Sequence, residues 1–595
     1  MCGIGGMLGQ PDASVLKGMN RLQAHRGPDG HGIFIDDNCG LAHTRLSIVD
    51  LAGSEQPIYS DNSTVVVANG EIYNYLELRA GLKNYQWKTS GDSEVILALH
   101  ASSNKLVGDN PALRHRNWVS QLDGMFAFAL WDSKERELVL ARDAVGIKPL
   151  VRTLIDGKLL FSSEVKALRA HEEHVPRIDN LALAARLAWE YPLDGTTLLD
   201  GVVQVRAGTI ETWTLDSMGN AIQTGYCSFS RQVVLPAESW SPIGGAEELL
   251  ESFVTDVSDR LMSDVPLGIV LSGGLDSSLV AAVAEEAAVR ASQPVPECWT
   301  VAESEDNPDW IAAELVANSL DLKHHKHILD PDLFHSRLPD LSWHGEDLDV
   351  SVLFFQPLFS KMAQTVKVGL CGQGADELHA GYPRYRNLAE HAKVVESRLA
   401  QIEHPEAQPL LTGKLPVGDE WWQADHRANC HTDNLAELLQ FEMEHGQLSN
   451  FQLRLVDRHS MAHGLEVRVP FLGQKHRLLS NSLPLEWRLP KGAIMGQEKA
   501  ALRCAADLTG LPKEIIHRPK LPAGTATSPT LIRQLLDELE PRAKQIAKNF
   551  QGFEKVLARQ PDMALGLGLF QAIHIQDGGR AKPNRQLVDL LDEVL

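Results

Sequence analysis

Residues 265–291 read VPLGIVLSGGLDSSLVAAVAEEAAVRA. An apolar strand runs into Ser-Gly-Gly, and a helical stretch starts directly behind it. The texture then repeats. PECWTVAE (296–303) is a second strand before the helical WIAAELVANSL (310–320), and VKVGLCGQG (366–374) is a third strand ending in glycine. Strands separated by helices, rather than by hairpin turns, must pair in parallel, and helices then cover the sheet. This stretch predicts a doubly wound parallel α/β domain whose loops gather at one sheet edge.

The loop Leu271–Ser278, LSGGLDSS, carries the strongest chemical signal. Ser272, Gly273 and Gly274 can turn tightly and present backbone N–H groups, and the helix behind adds positive potential, which makes an anion site suited to phosphate. It lacks the GxxxxGK[ST] pattern of a Walker loop. In place of that lysine stands an acid, Asp276, a residue suited to holding Mg²⁺ on a pyrophosphate. The third strand ends in CGQGADE (371–377), so Asp376 is expected to face Asp276 across a ligand. One cation shared between two carboxylates relieves their repulsion. The chemistry implied is attack at an α-phosphate with pyrophosphate leaving.

A chain of 595 residues exceeds one core, and two to four domains are expected. A net charge of −22 argues against DNA or RNA as a partner. The seven cysteines contain no CxxC pair, which fits a reduced, cytoplasmic setting better than a disulfide framework. No apolar run reaches a membrane span, and no signal-peptide pattern opens the chain. Ahead of the α/β stretch, residues 1–190 read as β-rich, with strands over 32–35, 65–68, 125–131, 138–141 and 159–162 and helices over 73–81 and 93–102. Residues 200–240 read as a strand-poor connector, and a long amphipathic helix runs from Gly244 to about Ser263.

The chain opens MCGIGG. If Met1 is removed, Cys2 carries both a thiol and a free α-amino group, and the amine can serve as the base for its own nucleophile.

These features together resemble glutamine-dependent asparagine synthetases. Beyond MCGI and the two loops, the resemblance rests on RGPDG (26–30), HTRLSIVD (43–50), QPI (56–58), NGEIYNY (69–75), SGDSE (90–94), RDAVGIKPL (142–150), FSSEVKAL (161–168), DRHSMAHGLEVRVPFL (457–472), GQEKAALR (496–503) and HRPKLPAG (517–524). It implies an N-terminal αββα Ntn-hydrolase sandwich followed by a doubly wound parallel α/β domain of the ATP-pyrophosphatase type with extra C-terminal helices. The implied divisions are a glutaminase domain over 1–200, a connector over 201–243, a synthetase domain over 244–530 and a helical extension over 531–595. It further implies Cys2 as nucleophile and Asn69 and Gly70 as the oxyanion hole. Arg45, Ile48, Asn69, Glu71 and Asp92 would bind glutamine. Leu271, Ser272, Gly273, Gly274, Asp276, Ser277, Val301, Gly372 and Gln373 would bind ATP. Asp276 and Asp376 would hold Mg²⁺, and Lys520 would stabilise the charged adenylation state. The expected partners are glutamine, ATP and a carboxylate acceptor, by default aspartate, with a homodimer as the expected assembly.

Three departures bear on the acceptor. Gln373 stands where many relatives have an acid, residues 343–357 (WHGEDLDVSVLFFQP) fit poorly to the usual acid-proline segment, and Gly473 replaces a usual aspartate. An acceptor other than aspartate is therefore a second expectation, and a non-catalytic sensor of glutamine or ATP a third. HHKH (324–327) and HEEH (171–174) read as exposed polar turns, Trp421–Trp422 as helix packing, and His426, Cys430 and His431 lack zinc-finger spacing.

Overall fold

The computed structural model describes residues 2–60, 63–103, 110–230, 237–412, 434–521, 526–576 and 585–595. Met1, Trp421–Trp422, His426, Cys430 and His431 lie outside the described residues.

The first half is built from twelve strands: β1 Cys2–Leu8, β2 Gly30–Ile35, β3 Cys39–Arg45, β4 Ile58–Tyr59, β5 Thr64–Ile72, β6 Gly124–Asp132, β7 Glu137–Arg142, β8 Val151–Ile155, β9 Lys158–Ser162, β10 Val203–Gln204, β11 Thr209–Leu215 and β12 Ala221–Ser228. They form two six-stranded antiparallel sheets, ordered β10-β8-β9-β1-β3-β2 and β12-β11-β7-β6-β5-β4. Side-chain alternation dictates the layers. Along β5, Val65 and Val67 join Ile4, Leu41, Ala127 and Phe161 in the core between the sheets. Val66 and Ala68 point the other way, into a core with the helices Val95–Ser102 and Ala112–Val119. On β1, Met7 faces out beneath Val15, Leu16 and Met19 of the helix Ala13–Leu22. Helices thus cover both outer faces, as the αββα reading expects.

The connector expected over 201–243 needs correction. β11 and β12 extend the second sheet through β7, pairing Thr209 with Arg142 and Ala221 with Leu215. TIETWTL is rich in β-branched residues and carries a Trp, and Asp216–Gly219 turns the chain back, so the stretch is a hairpin. The following helix spans Pro242–Asp259, with Ile243 and Gly244 outside helical geometry.

The second half holds five parallel strands, β13 Leu267–Val270, β14 Glu297–Ala302, β15 His324–Ile328, β16 Val368–Leu370 and β17 Glu466–Arg468, ordered β15-β14-β13-β16-β17. The chain winds outward from β13 to β15 and then returns to the other side at β16. The crevice between β13 and β16 is therefore the topological switch point, where ligands sit in such sheets. The expected HHKH turn is instead the edge strand β15, held by parallel pairing of Cys298–Ala302 with His324–Ile328. His171 and His174 are buried rather than exposed. Helices Pro529–Asn549, Glu554–Leu557, Pro561–Phe570 and Leu587–Asp592 close the chain. No described helix is long and apolar enough to cross a membrane.

Candidate active sites

Cys2 begins β1, and the antiparallel register sets it opposite Arg45 of β3. Sheet packing brings β5 against β1 from the other layer. The Cys2 backbone nitrogen donates to Asn69 Oδ1 at 3.0 Å. That bond fixes the amide plane, and Asn69 Nδ2 is left buried with no partner among the described residues. A buried, unmatched donor on a residue bonded to Cys2 has the chemistry to receive a developing oxyanion. The next residue must be glycine. Gly70 has φ +146°, and a Cβ there would stand 1.9 Å from the Met125 carbonyl oxygen.

The carboxyls of Glu71 and Asp92 lie in the same region, with Asp92 Oδ2 accepting from the Ile72 N–H at 2.7 Å. Burial pushes both up from the ordinary carboxylate range, and Glu466 adds to the rise at Glu71. Arg45 is oriented by donating to the carbonyls of Asp50 at 2.6 Å and Leu51 at 3.2 Å. Ile48 is buried. Burial also raises the Cys2 thiol, so a base must accompany it if the thiolate is to form near neutrality.

At the second site the backbone of β13 turns at Gly273, where φ is +70° and a Cβ would meet the Ala313 nitrogen at 2.4 Å. The turn is tied by Ser277 Oγ, which accepts from the Ser272 N–H at 3.1 Å and lies 3.0 Å from Ser272 Oγ. Leu271, Ser272, Asp276, Ser277, Val301, Gly372, Gln373, Asp376 and Lys520 line one cavity, and Gly274 lines the adjoining one. The two aspartates converge. Lys499 Nζ lies 2.6 Å from Asp276 Oδ1 and 2.7 Å from Asp376 Oδ1, and Lys520 Nζ lies 2.6 Å from Asp376 Oδ2. Burial alone would push the Asp376 carboxyl up, but the two lysines hold it well below the ordinary range. Asp376 in turn raises Lys520 against the opposing effect of burial.

Mg²⁺ commonly takes one or two carboxylates and fills its remaining positions with water and phosphate. Asp276 and Asp376 fit that use, because one cationic atom, Lys499 Nζ, touches both. Among the described residues no group of three or more His, Cys, Asp or Glu side chains is gathered to hold a metal without such help.

The family model described as "Glutamine amidotransferase domain" matches residues 1–226, and "Asparagine synthase" matches residues 248–556. An asparagine synthetase [glutamine-hydrolyzing] of Sandersonia aurantiaca is 32% identical over 541 residues, spanning 87% of this chain and 86% of the relative. The chain belongs to the glutamine-hydrolysing asparagine synthetase family. Asparagine synthetase [glutamine-hydrolyzing] 1 of Bacillus subtilis is 28% identical over 88% of this chain and 86% of its own, and a second such synthetase of Arabidopsis thaliana is 31% identical over 87% and 78%. The family is ATP-dependent, which accords with the loop after β13.

For several neighbours of these sites the sequence offers a matching stretch but not the contact. Arg468 Nη2, on β17 of the second half, lies 3.9 Å from Glu71 Oε2 in the first. Arg26 donates to the Cys2 carbonyl at 3.0 Å and pairs with Asp457 at 2.9 Å. Lys499 sits in a stretch the resemblance covers, yet only the fold shows that it bridges the two aspartates. Phe354, Phe355, Leu358, Phe359 and Val456 also line the cavity behind the β13 loop.

Proposed function

We propose that the protein releases ammonia from glutamine at Cys2 and uses it, with ATP, to convert a carboxylate to its amide. The acceptor expected for the family is aspartate, giving asparagine. The reading is supported most directly by Arg26, whose one guanidinium binds the Cys2 carbonyl in the first half and Asp457 in the second. Arg26 thereby ties the strand that carries Cys2 to the second half, as transfer of ammonia between two sites requires.

In the first half, with Met1 removed, the α-amine of Cys2 takes the thiol proton. The thiolate attacks the side-chain carbonyl of glutamine. Asn69 Nδ2 and the Gly70 N–H receive the oxyanion, and donors of this kind each contribute about 10²–10³ in rate. Arg45 grips the substrate carboxylate, and Glu71 and Asp92 hold its ammonium. The amine returns the proton to the leaving ammonia, and water then hydrolyses the thioester to glutamate.

In the second half, Ser272, Gly273, Gly274 and Ser277 cradle the phosphates of ATP, and Val301 and Gly372 border the base. Asp276 and Asp376 would hold Mg²⁺, which when bound neutralises the departing pyrophosphate. The acceptor carboxylate displaces pyrophosphate at the α-phosphate, with Lys520 beside the charge that builds there. Ammonia attacks the acyl-adenylate and AMP leaves. Free ammonia in water is quickly protonated and ceases to be a nucleophile, so we propose a sheltered path between the halves.

A second reading keeps the chemistry and changes the acceptor. The phenylalanine-rich wall at 354–359 and the neutral Gln373 favour a carboxylate with an apolar body. Incubation with glutamine, Mg-ATP and aspartate decides. Asparagine appearing with glutamate and pyrophosphate supports the first reading. Glutamate with neither pyrophosphate nor asparagine transfers support to the second, because adenylation then waits on an acceptor the mixture lacks. Neither product from either substrate leaves only a sensor.

A further inference from the structure

Residues 343–357 and the chain beyond 556, the end of the matched asparagine synthase region, are left unexplained by the reaction, and the fold puts them together. The helix Pro561–Phe570 is buried from Ala564 to Phe570. Its Gly566 lies so close to the backbone of Leu348 that a Cβ would stand 2.2 Å from the Leu348 carbonyl oxygen. Further along, His574 Nε2 is 2.9 Å from the Ser342 carbonyl oxygen, which can only accept. Nε2 therefore carries the proton, and Nδ1 accepts from the Arg169 guanidinium of the first half. One neutral imidazole so joins both halves. Its ring stacks on Trp343 at 6.0 Å, and Arg169 and Lys166 lie over the same indole at 5.6 and 5.5 Å.

The first half grips this segment from the other side. Glu346 accepts the N–H groups of Val165 at 2.8 Å and Lys166 at 2.7 Å, and Arg186 pairs with Asp347 and Asp349, each at 2.8 Å. Arg186 also reaches Met563 Sδ at 3.7 Å, and Gln560 donates to the Leu187 carbonyl at 3.2 Å. The gripped stretch continues directly into Phe354 and Phe355 of the cavity behind the β13 loop.

We propose that residues 560–575 are a clasp that holds segment 342–355 against the glutamine half, with His574 and Gly566 as positioning residues for the acceptor wall of the synthetase cavity. The role in catalysis rests on the proposed function, whereas the clasp itself does not. His574→Phe removes both hydrogen bonds, and His574→Gln can restore a donor and an acceptor. Gly566→Ala presses on Leu348 without touching either hydrogen bond.

Two measurements test this. Hydrogen exchange of peptides covering 342–355 is compared in the intact wild type and the three variants. Exchange at least tenfold faster there in His574→Phe and Gly566→Ala, largely reversed in His574→Gln and unchanged around β13, is the expected result. Unchanged exchange over 342–355 in both disruptive variants overturns the clasp, whatever the enzyme's activity. The second measurement is glutamate formed per pyrophosphate released with glutamine, Mg-ATP and aspartate. The ratio is expected to rise threefold or more in His574→Phe, with glutamine hydrolysis alone within twofold of wild type and recovery in His574→Gln. A ratio that stays constant while all rates fall together overturns the positioning role. A wild type inactive in both half-reactions counts against the proposed function instead. If His574→Phe does not fold, Gly566→Ala carries both measurements.

Discussion

At the scale of single residues, Lys499 and Asn69 carry the sharpest consequences. Lys499 is almost fully buried, yet its charge is matched because its Nζ touches both aspartates. Replacing it with methionine leaves two buried carboxylates facing each other with Lys520 as the nearest cation. Removal of one member of a buried ion cluster commonly costs about 3–5 kcal/mol. A divalent cation can refill that place, so we expect added Mg²⁺ to raise the melting temperature of Lys499→Met by clearly more than it raises wild type. Equal shifts by differential scanning fluorimetry would count against Asp276 and Asp376 as the metal carboxylates. For Asn69→Ala, glutaminase kcat is expected to fall about 10²–10³-fold. Ammonia-driven pyrophosphate release should persist, as it should in Cys2→Ala. Glu377 offers a pH test. Burial, helped by Asp376, raises its carboxyl to about 7, while the Tyr382 hydroxyl donates to it at 3.0 Å. Between about pH 4.5 and 7 the folded state therefore holds the proton more tightly than the unfolded state. That contribution is fully present below this window and is lost as pH rises through it, a difference of about 3 kcal/mol. Glu377→Gln should match wild-type stability near pH 4.5 and exceed it above pH 7, as measured by urea melts across that range.

At the scale of elements, the loops were legible and their neighbours were not. The strand–SGG–helix stretch predicts its own geometry because each piece is local: an apolar run, glycine at a left-handed turn and a helix start. Gly273 tests this directly. With φ at +70° and the Ala313 nitrogen 2.4 Å from any Cβ, Gly273→Ala should weaken ATP binding at least tenfold and lower the melting temperature, both measurable by calorimetry. The hairpin β11–β12 escaped the sequence reading for the opposite reason. TIETWTL and AIQTGYCS are short and partly polar, and they become strands because the edge of β7 is there to pair with. The same holds for HHKH, which is an edge strand by virtue of β14. Arg468 beside Glu71 was beyond reach altogether, since β17 and β5 are far apart in sequence and only the packing of the two halves joins them.

At the scale of the whole molecule, the join between the halves is itself charged and buried. Arg26 pairs with Glu164 at 3.0 Å and Asp457 at 2.9 Å, Lys148 reaches Asp457 at 3.4 Å, and Lys166 lies between Glu164 and Glu346. Burying such pairs stabilises less than apolar packing of the same volume would, but a broken member leaves a charge with no solvent to receive it. An interface of this kind tolerates little sliding, because each ion pair holds only at one register. That suits an enzyme whose first product must reach the second site before water claims it. Asp457 is the strictest test, since it faces two cations and touches no part of either proposed reaction. Asp457→Asn keeps the shape and removes the charge. We expect it to lower stability by about 3–5 kcal/mol. In the molecules that remain folded, we expect glutamate to outpace pyrophosphate while ammonia-driven synthesis stays near wild type. The second outcome is the decisive one: if glutamine and ammonia support synthesis in the same proportion as in wild type, the charged join is only structural and coupling resides elsewhere.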